Sequence, residues 1–453
     1  MTKNKKLRLS TAQLILLGFL GVILTGSAVL MLPVSVKSGV KVGYLDALFT
    51  SVTATSVTGL VTVGTAATWS VFGQAVILVL IQVGGLGVIT VMSWLMMLMH
   101  RKIGISSRLL IQDAFNLNTM SGLIRFVKNV TAGTLLVELV GALSYMTRFV
   151  PEFGARGVWI SVFNSVSAFC NAGIDIIGSD SLAPYAGDFV VNLTTCILIV
   201  MGGIGYIVWW DVLHAVKRRA HSRAHIWPGL SLHTKIALSV TLGLLVFGAA
   251  GFFVLEYNNP LTLGPMSLPQ KIGAAVFQSV TTRTAGFCTV AQQNLTNASA
   301  ILSLLLMFIG GSPVGTAGGI KTVTAAVVFV TAISVVRGKS DVALFHRNLS
   351  ESSIRKATAV MCCSFLTAFA STVLLAAMTD ASAIDIIYET VSATATVGLT
   401  RNLTAQLTDV GKIIICFTMY FGRVGPISLA VALSGNGKSD NAIINPTEEI
   451  SVG

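Results

Sequence analysis

The sequence predicts an all-α polytopic membrane protein: four tandem span–hairpin–span repeats, with eight spans and four re-entrant hairpins around a central pseudo-fourfold axis. Three observations predict it. The 453 residues are 53% hydrophobic and only 11% charged, with a mean hydropathy of +0.80, whereas soluble domains carry about 25% charged residues. A glycine-closed motif returns four times, a quarter of the chain apart. The excess positive charge, net +12, sits in short segments beside the apolar stretches.

The spans follow in order. After MTKNKKLRLS, an apolar stretch runs from Thr11 to Leu32 and closes at Pro33. It exceeds a signal-peptide core and has no small-residue cleavage pattern, so it is expected to remain as the first span. Further apolar segments lie at 70–99, 122–147, 188–216, 236–257, 298–336, 357–378 and 409–434, each with at least the ~20 residues a crossing needs. Eight spans leave both termini on one side. That side carries Lys3, Lys5, Lys6 and Arg8, then Arg101, Lys102, Arg108, Arg125 and Lys128, then Lys217, Arg218, Arg219, Arg223 and Lys235. Arg337, Lys339, Arg347, Arg355, Lys356 and Lys438 complete it. By the positive-inside rule it is cytoplasmic. These residues flank membrane spans and do not form an aromatic-interleaved patch, which argues against nucleic acid as a partner.

Between the two spans of each quarter lies a Ser/Thr-rich segment too short to cross. The four read FTSVTATSVTGL (Phe49–Leu60), FNSVSAFCNAGI (Phe163–Ile174), FQSVTTRTAGF (Phe277–Phe287) and YETVSATATVGL (Tyr388–Leu399). Their closing glycines, Gly59, Gly173, Gly286 and Gly398, are 114, 113 and 112 residues apart, so the period spans the whole chain. The repeats are 1–108, 109–228, 229–345 and 346–453, with the hairpin tips at 53–60, 167–174, 281–287 and 392–399. Each following span carries a glycine cluster: Gly84-Gly85-Leu86-Gly87, Gly202-Gly203-Ile204-Gly205, Gly310-Gly311 and Gly422-Arg423-Val424-Gly425. In the first two, close helix packing through small residues is expected.

Non-helical backbone at membrane depth persists only inside protein or along water, so four such hairpins must converge on one aqueous axis. A short helix descending into the bilayer aims its partially negative C-terminus at the centre, which favours a cation. The extended residues after it can turn carbonyl oxygens inward to replace an ion's hydration shell. Residues and spacing thus predict a cation filter built from one polypeptide.

Along essentially its whole length the chain resembles the Trk/Ktr/HKT superfamily of potassium transporters, in its Ktr type, through TATSVTGL, TTRTAGF and SATATVGL as they stand here. The resemblance implies a K+ selectivity filter at Thr58, Gly59, Ala172, Gly173, Ala285, Gly286, Val397 and Gly398. In related plant proteins a Ser in the first hairpin accompanies sodium preference, so Gly59 points to potassium. None of the four hairpins contains GYG. The resemblance also implies a homodimer on a cytosolic RCK-type nucleotide-binding ring (KtrA/KtrC-like), in a bacterial plasma membrane. Potassium is then the transported ion, sodium an activating ion the family leaves open, and the chain carries no cofactor of its own.

The third repeat departs from its siblings. Residues 310–319 read GGSPVGTAGG, with five Gly and one Pro, which no helix interior tolerates. A phosphate-binding loop fails on register, because Ile320 separates Gly319 from Lys321. A hinge in a discontinuous span is the general alternative. The resemblance implies an intramembrane gate at Gly310, Gly311, Ser312, Gly315, Thr316, Gly318 and Gly319, with Arg423 near it. Arg423 falls mid-span, where a charge costs at least ~2.5–3.5 kcal/mol without water or a partner. It is expected either to hold the gate loop and repel cations, or to pair with Glu138 or a carbonyl. Arg283 is expected to brace the filter backbone or meet Glu389, and Lys321 to cap the broken helix.

Weaker signals are read more plainly. The six cysteines show no CxxC and suit small apolar fillers. His214, His221, His225 and His233 lie among Arg218, Arg219 and Arg223, which suits a solvated basic loop better than a transition-metal site. Asp175 is either a collector of cations at the mouth or a plain loop acid. The tail NPTEEISVG is short and polar, and the resemblance makes it a subunit contact. HExxH, GxSxG and a paired-carboxylate site are absent, so an enzyme is not expected. The rival transport reading is an alternating-access carrier coupled to Na+ or H+, for which Glu138 is the mid-membrane candidate.

Overall fold

The computed structural model of the protein describes residues 11–87, 90, 123–178, 180–222, 226–339 and 341–425. The charges at Lys3, Lys5, Lys6, Arg8, Arg101, Lys102, Arg108, Arg223 and Lys438, together with His225 and the tail, lie outside the described residues.

The described chain is almost wholly helical. The first quarter holds α1 (Thr11–Leu30), α2 (Tyr44–Ser56), α3 (Thr65–Thr68) and α4 (Val71–Leu86). The second holds α5 (Leu123–Phe153), α6 (Ala155–Cys170), α7 (Phe189–Gly203) and α8 (Tyr206–Ser222). In the third are α9 (Leu232–Glu256), α10 (Leu268–Thr281), α11 (Asn297–Phe308) and α12 (Thr322–Val336). The fourth has α13 (Glu351–Ala376), α14 (Ala383–Thr394) and α15 (Asp409–Val424). By length and composition α1, α5, α9 and α13 can each cross a membrane.

The same local chemistry recurs in each quarter. A side-chain oxygen of Ser70, Asp188, Thr296 or Thr408 caps the start of α4, α7, α11 or α15, a bond whose loss typically costs ~1 kcal/mol. Inside the bundle, Ser51, Ser165 and Ser279 donate to the carbonyls of Ile23, Glu138 and Leu245 at 2.7, 2.6 and 2.8 Å. Those bonds pin α2, α6 and α10 to α1, α5 and α9. The fourth quarter substitutes a hydroxyl pair, Thr390–Thr372 at 2.7 Å. Between the last quarter and the first, Lys412 Nζ meets Asp46 Oδ1 at 2.8 Å, and the Tyr420 hydroxyl donates to Leu16 O at 2.8 Å.

Two expectations need correction. The segment 188–216 is not one straight span: α7 and α8 meet at 96°. Gly205 there has φ +92°, and the amide of Tyr206 bonds to Val314 O at 3.0 Å, so a distant loop replaces the helical partner. The chain also carries a two-stranded ribbon, β1 (Ala343–Leu344) with β2 (Arg347–Asn348). Its turn residues Phe345 and His346 both have positive φ, the geometry a two-residue hairpin prefers. Helices α4 and α15 give way at Gly87 and Gly425, at φ +85° and +89°. Residues 88–89, 91–99 and 426–434 lie outside the description.

Candidate functional site

The four short helices α2, α6, α10 and α14 end against one axis. After each, the chain leaves helical geometry through a residue with positive φ: Val57 (+56°), Asn171 (+61°), Thr284 (+68°) and Thr396 (+50°). Two residues on stand Gly59, Gly173, Gly286 and Gly398, at φ +103°, +62°, +82° and +92°. Between them lie Thr58, Ala172, Ala285 and Val397.

Equivalent hydroxyls hold this turn. The amides of Thr58, Ala172, Ala285 and Val397 donate to the carbonyls of Thr53, Ser167, Thr281 and Ser392 at 2.9, 2.8, 3.0 and 2.8 Å. The hydroxyls of Thr53 and Ser392 accept from the amides of Gly59 and Gly398 at 3.0 and 3.1 Å. Those of Ser167 and Thr281 donate to Ile174 O and Phe287 O at 2.5 and 2.6 Å. The Ser/Thr richness of the hairpins is therefore spent on the backbone.

The glycines close a ring. A Cβ added to Gly59 would stand 2.5 Å from Ala172 O, one on Gly173 2.5 Å from Ala285 O, and one on Gly286 2.5 Å from Val397 O. One on Gly398 would strike Thr58 O. Each hairpin thus abuts the carbonyl before the next hairpin's glycine, in the order first, second, third, fourth and back to first. All eight residues expected at the filter are brought together. Above them opens a vestibule of about 390 Å³, lined by the four glycines, Asp175 and Asp180. Asp175 accepts from the amide of Ile177 at 3.2 Å. Burial pushes its carboxyl up to about 6.

Beneath the ring lies the segment 310–319. Gly310 O accepts from Arg283 Nη2 at 2.7 Å. The amides of Ser312 and Thr316 donate to Gly203 O and Gly202 O at 2.8 and 3.1 Å, and Gly311 O accepts from Thr322 N at 2.9 Å. Thr316 Oγ1 reaches Phe169 O at 3.0 Å. Gly318 N donates to Thr284 Oγ1 at 3.2 Å, and a Cβ on Gly318 would collide with Thr396 Oγ1. Gly315 packs against Gly202 O, and Gly319 turns at φ +64° back onto Gly310. Arg423 donates from Nη1 to Thr316 O at 2.5 Å and from Nη2 to Gly84 O at 2.5 Å. One irregular segment thus touches the second, third and fourth hairpins, and through Arg423 it reaches the first repeat.

Several partners differ from expectation. Arg283 bonds the segment's first carbonyl, whereas Glu389 accepts from Thr400 Oγ1 at 2.6 Å and from Thr404 Oγ1. In the third hairpin α10 ends at Thr281, and Arg283 lies in the turn between that helix and Gly286. Glu138 accepts from Gln82 Nε2 at 3.2 Å; of the partners expected for Arg423, the loop and a carbonyl are the ones it meets. Lys321 occupies the N-cap position of α12 without capping it; its Nζ donates to Ala317 O at 2.5 Å. His214 bonds the Trp210 carbonyl within α8 at 2.6 Å.

Sequence reasoning missed the network behind the third and fourth hairpins. Gln278 and Gln292 exchange amide bonds at 2.7 and 3.1 Å, and Tyr388 donates to Gln292 Oε1 at 2.9 Å. Arg401 pairs with Asp385 at 2.7 Å and donates to Gln292 O at 3.0 Å. The signal available was positional, because Gln278 and Glu389 share one register in the aligned hairpins.

Helices long and apolar enough to cross a membrane, gathered around a ring of abutting glycines and carbonyls, define an integral membrane protein. The chain matches the family described as TrkH, cation transport protein, over residues 4–442. It is 39% identical over 450 residues to the Ktr system potassium uptake protein B of Bacillus subtilis, covering 99% of this chain and 98% of that protein. To the potassium/sodium uptake protein NtpJ of Enterococcus hirae it is 36% identical over 463 residues, covering 100% and 99%. Its fold is similar to the crystal structure of the potassium transporter TrkH from Vibrio parahaemolyticus, with TM-score 0.72 at 16% identity, covering 96% and 87% of the two chains. The chain belongs to the TrkH family of cation transport proteins, which are transporters and not enzymes.

Proposed function

We propose that the chain is the potassium-translocating membrane subunit of a bacterial Ktr-type uptake system. In this reading it is a plasma-membrane protein of eight spans with both termini cytoplasmic, working as a homodimer on a cytosolic nucleotide-binding ring of RCK type. Potassium passes in a channel-like manner through the carbonyls of Thr58, Ala172, Ala285 and Val397, with the four glycines giving the backbone room to turn. The segment Gly310–Gly319 is the gate, held shut by Arg423.

The cyclic abutment of each glycine on its neighbour's carbonyl carries this reading. Four carbonyls at one level offer oxygen in place of water, and the C-terminal ends of α2, α6, α10 and α14 add partial negative charge there. Arg423 beneath the ring carries full positive charge, and its bonds to Thr316 O and Gly84 O offset its desolvation. Displacing the segment would open the axis and draw that charge aside. Glu138 lies behind the second hairpin, bonded to Gln82 and away from the ring, which disfavours a proton-coupled carrier.

The test is potassium uptake in a bacterium lacking its own uptake systems, with Gly59→Ser beside the wild type. Uptake by the wild type and its loss in the variant is the expected result; no uptake by either ends the proposal. In liposomes, flux that requires no Na+ or H+ gradient separates a channel from a carrier.

A further inference from the structure

Beside residues 318–321 lies a second cavity, of about 220 Å³, between α13, α15 and the end of α11. Its walls include Lys321, Arg423, Ser364, Thr367, Phe308 and Phe421, and no carboxylate lines it. Lys321 and Arg423 take part in no ion pair among the described residues. Their partners are backbone carbonyls, which accept hydrogen bonds but carry no formal counter-charge. The N-terminus of α12, which no side chain caps, adds partial positive charge at the same place. Like charges held together in a low-dielectric setting are costly without a counter-charge.

We infer that this cavity binds a phosphate-bearing anion. The Lys321 amine, the Arg423 guanidinium and the Ser364 hydroxyl line it, a donor set that suits a phosphate, and the aromatic walls suit an amphiphile, so an anionic phospholipid is the favoured source and free phosphate the other. The inference rests on the reading of residues 310–319 as a gate in one respect only. Lys321 and Arg423 hold the consecutive carbonyls of Ala317 and Thr316. A bound phosphate competes for those donors, loosens the segment and shifts the population toward the open state.

The full-length protein is purified and reconstituted into vesicles of phosphatidylcholine alone, of phosphatidylcholine with phosphatidylglycerol, and of phosphatidylcholine with added inorganic phosphate. Retained lipid is measured by native mass spectrometry and potassium flux by tracer. The wild type is expected to retain phosphatidylglycerol and to pass potassium about threefold faster with it, a shift within the reach of a modest differential affinity. Lys321→Gln should lose both effects, Lys321→Arg should keep them, and Ser364→Ala should weaken retention. Acceleration by inorganic phosphate alone, abolished in Lys321→Gln, supports the site with a soluble occupant. Equal retention and equal flux in wild type and Lys321→Gln overturns it, as does indifference to both anions. Lys321-dependent retention in a protein that passes no potassium would sustain the site while ending the transport reading.

Discussion

The two halves of the axis obey different rules. At the ring, four hairpins use the same positive-φ turn, the same amide-to-carbonyl bond and the same glycine–carbonyl abutment. Below it, the four second spans part ways: α4 and α15 give way at Gly87 and Gly425, α7 and α8 bend by 96°, and α11 and α12 are separated by thirteen residues, 309–321. Wrapping a spherical ion demands equal partners on every side. Obstructing it needs a single element, and the remaining three repeats only have to receive that element. Gly202, Gly203 and the amide of Tyr206 in the second repeat do so with three backbone bonds.

That contrast can be broken most forcefully at the ring. Gly398→Ser would press a side chain on Thr58 O, and uptake in the deficient bacterium should fall at least ~tenfold, equivalent to about 1.4 kcal/mol. Uptake equal to wild type would show that the abutment does not matter. Below the ring the sign reverses. Arg423→Gln removes charge-assisted bonds worth about 1.5–3 kcal/mol each, and flux in liposomes without a regulator should rise roughly tenfold; unchanged flux would sever Arg423 from gating. Gly318→Ala presses on Thr396 Oγ1 and Ala395 O and should raise the same leak about threefold, a small population shift.

The smallest effect belongs to the vestibule. Asp175, pushed up to about 6 by burial, is neutral below that pH and anionic above it. The apparent potassium affinity should therefore fall about twofold on acidification through pH 6, as local steering weakens, and Asp175→Asn should flatten the profile. A wild-type profile with no inflection near pH 6 would make Asp175 a plain loop acid.

The ring was legible in the sequence because its chemistry is local and repeated: hydroxyl, turn and glycine lie within seven residues of one another, four times over. The bend at Gly205 was not. Hydropathy reads a bent span and a straight one alike, and the groups that stabilise the bend, Pro313 and Val314, come from about a hundred residues away. Arg423 could be assigned to the loop's vicinity, but its two-carbonyl grip depends on how Gly84 and Thr316 meet in space. Arg283 and Lys321 were misjudged for the same reason, since each has a backbone acceptor that no motif encodes. The Gln278–Gln292–Tyr388 network joins positions that are ordinary polar residues when read singly.

The polypeptide itself stitches three of the four boundaries between quarters, like links of a bracelet. The last boundary has no covalent bridge and is fastened by the Lys412–Asp46 pair and the Tyr420 hydroxyl. The pair's side chains are only 16% and 22% exposed, and Phe49, Val52 and Leu60 pack with Ile415 and Met419 beside it, so the clasp should hold in concentrated salt that loosens surface pairs.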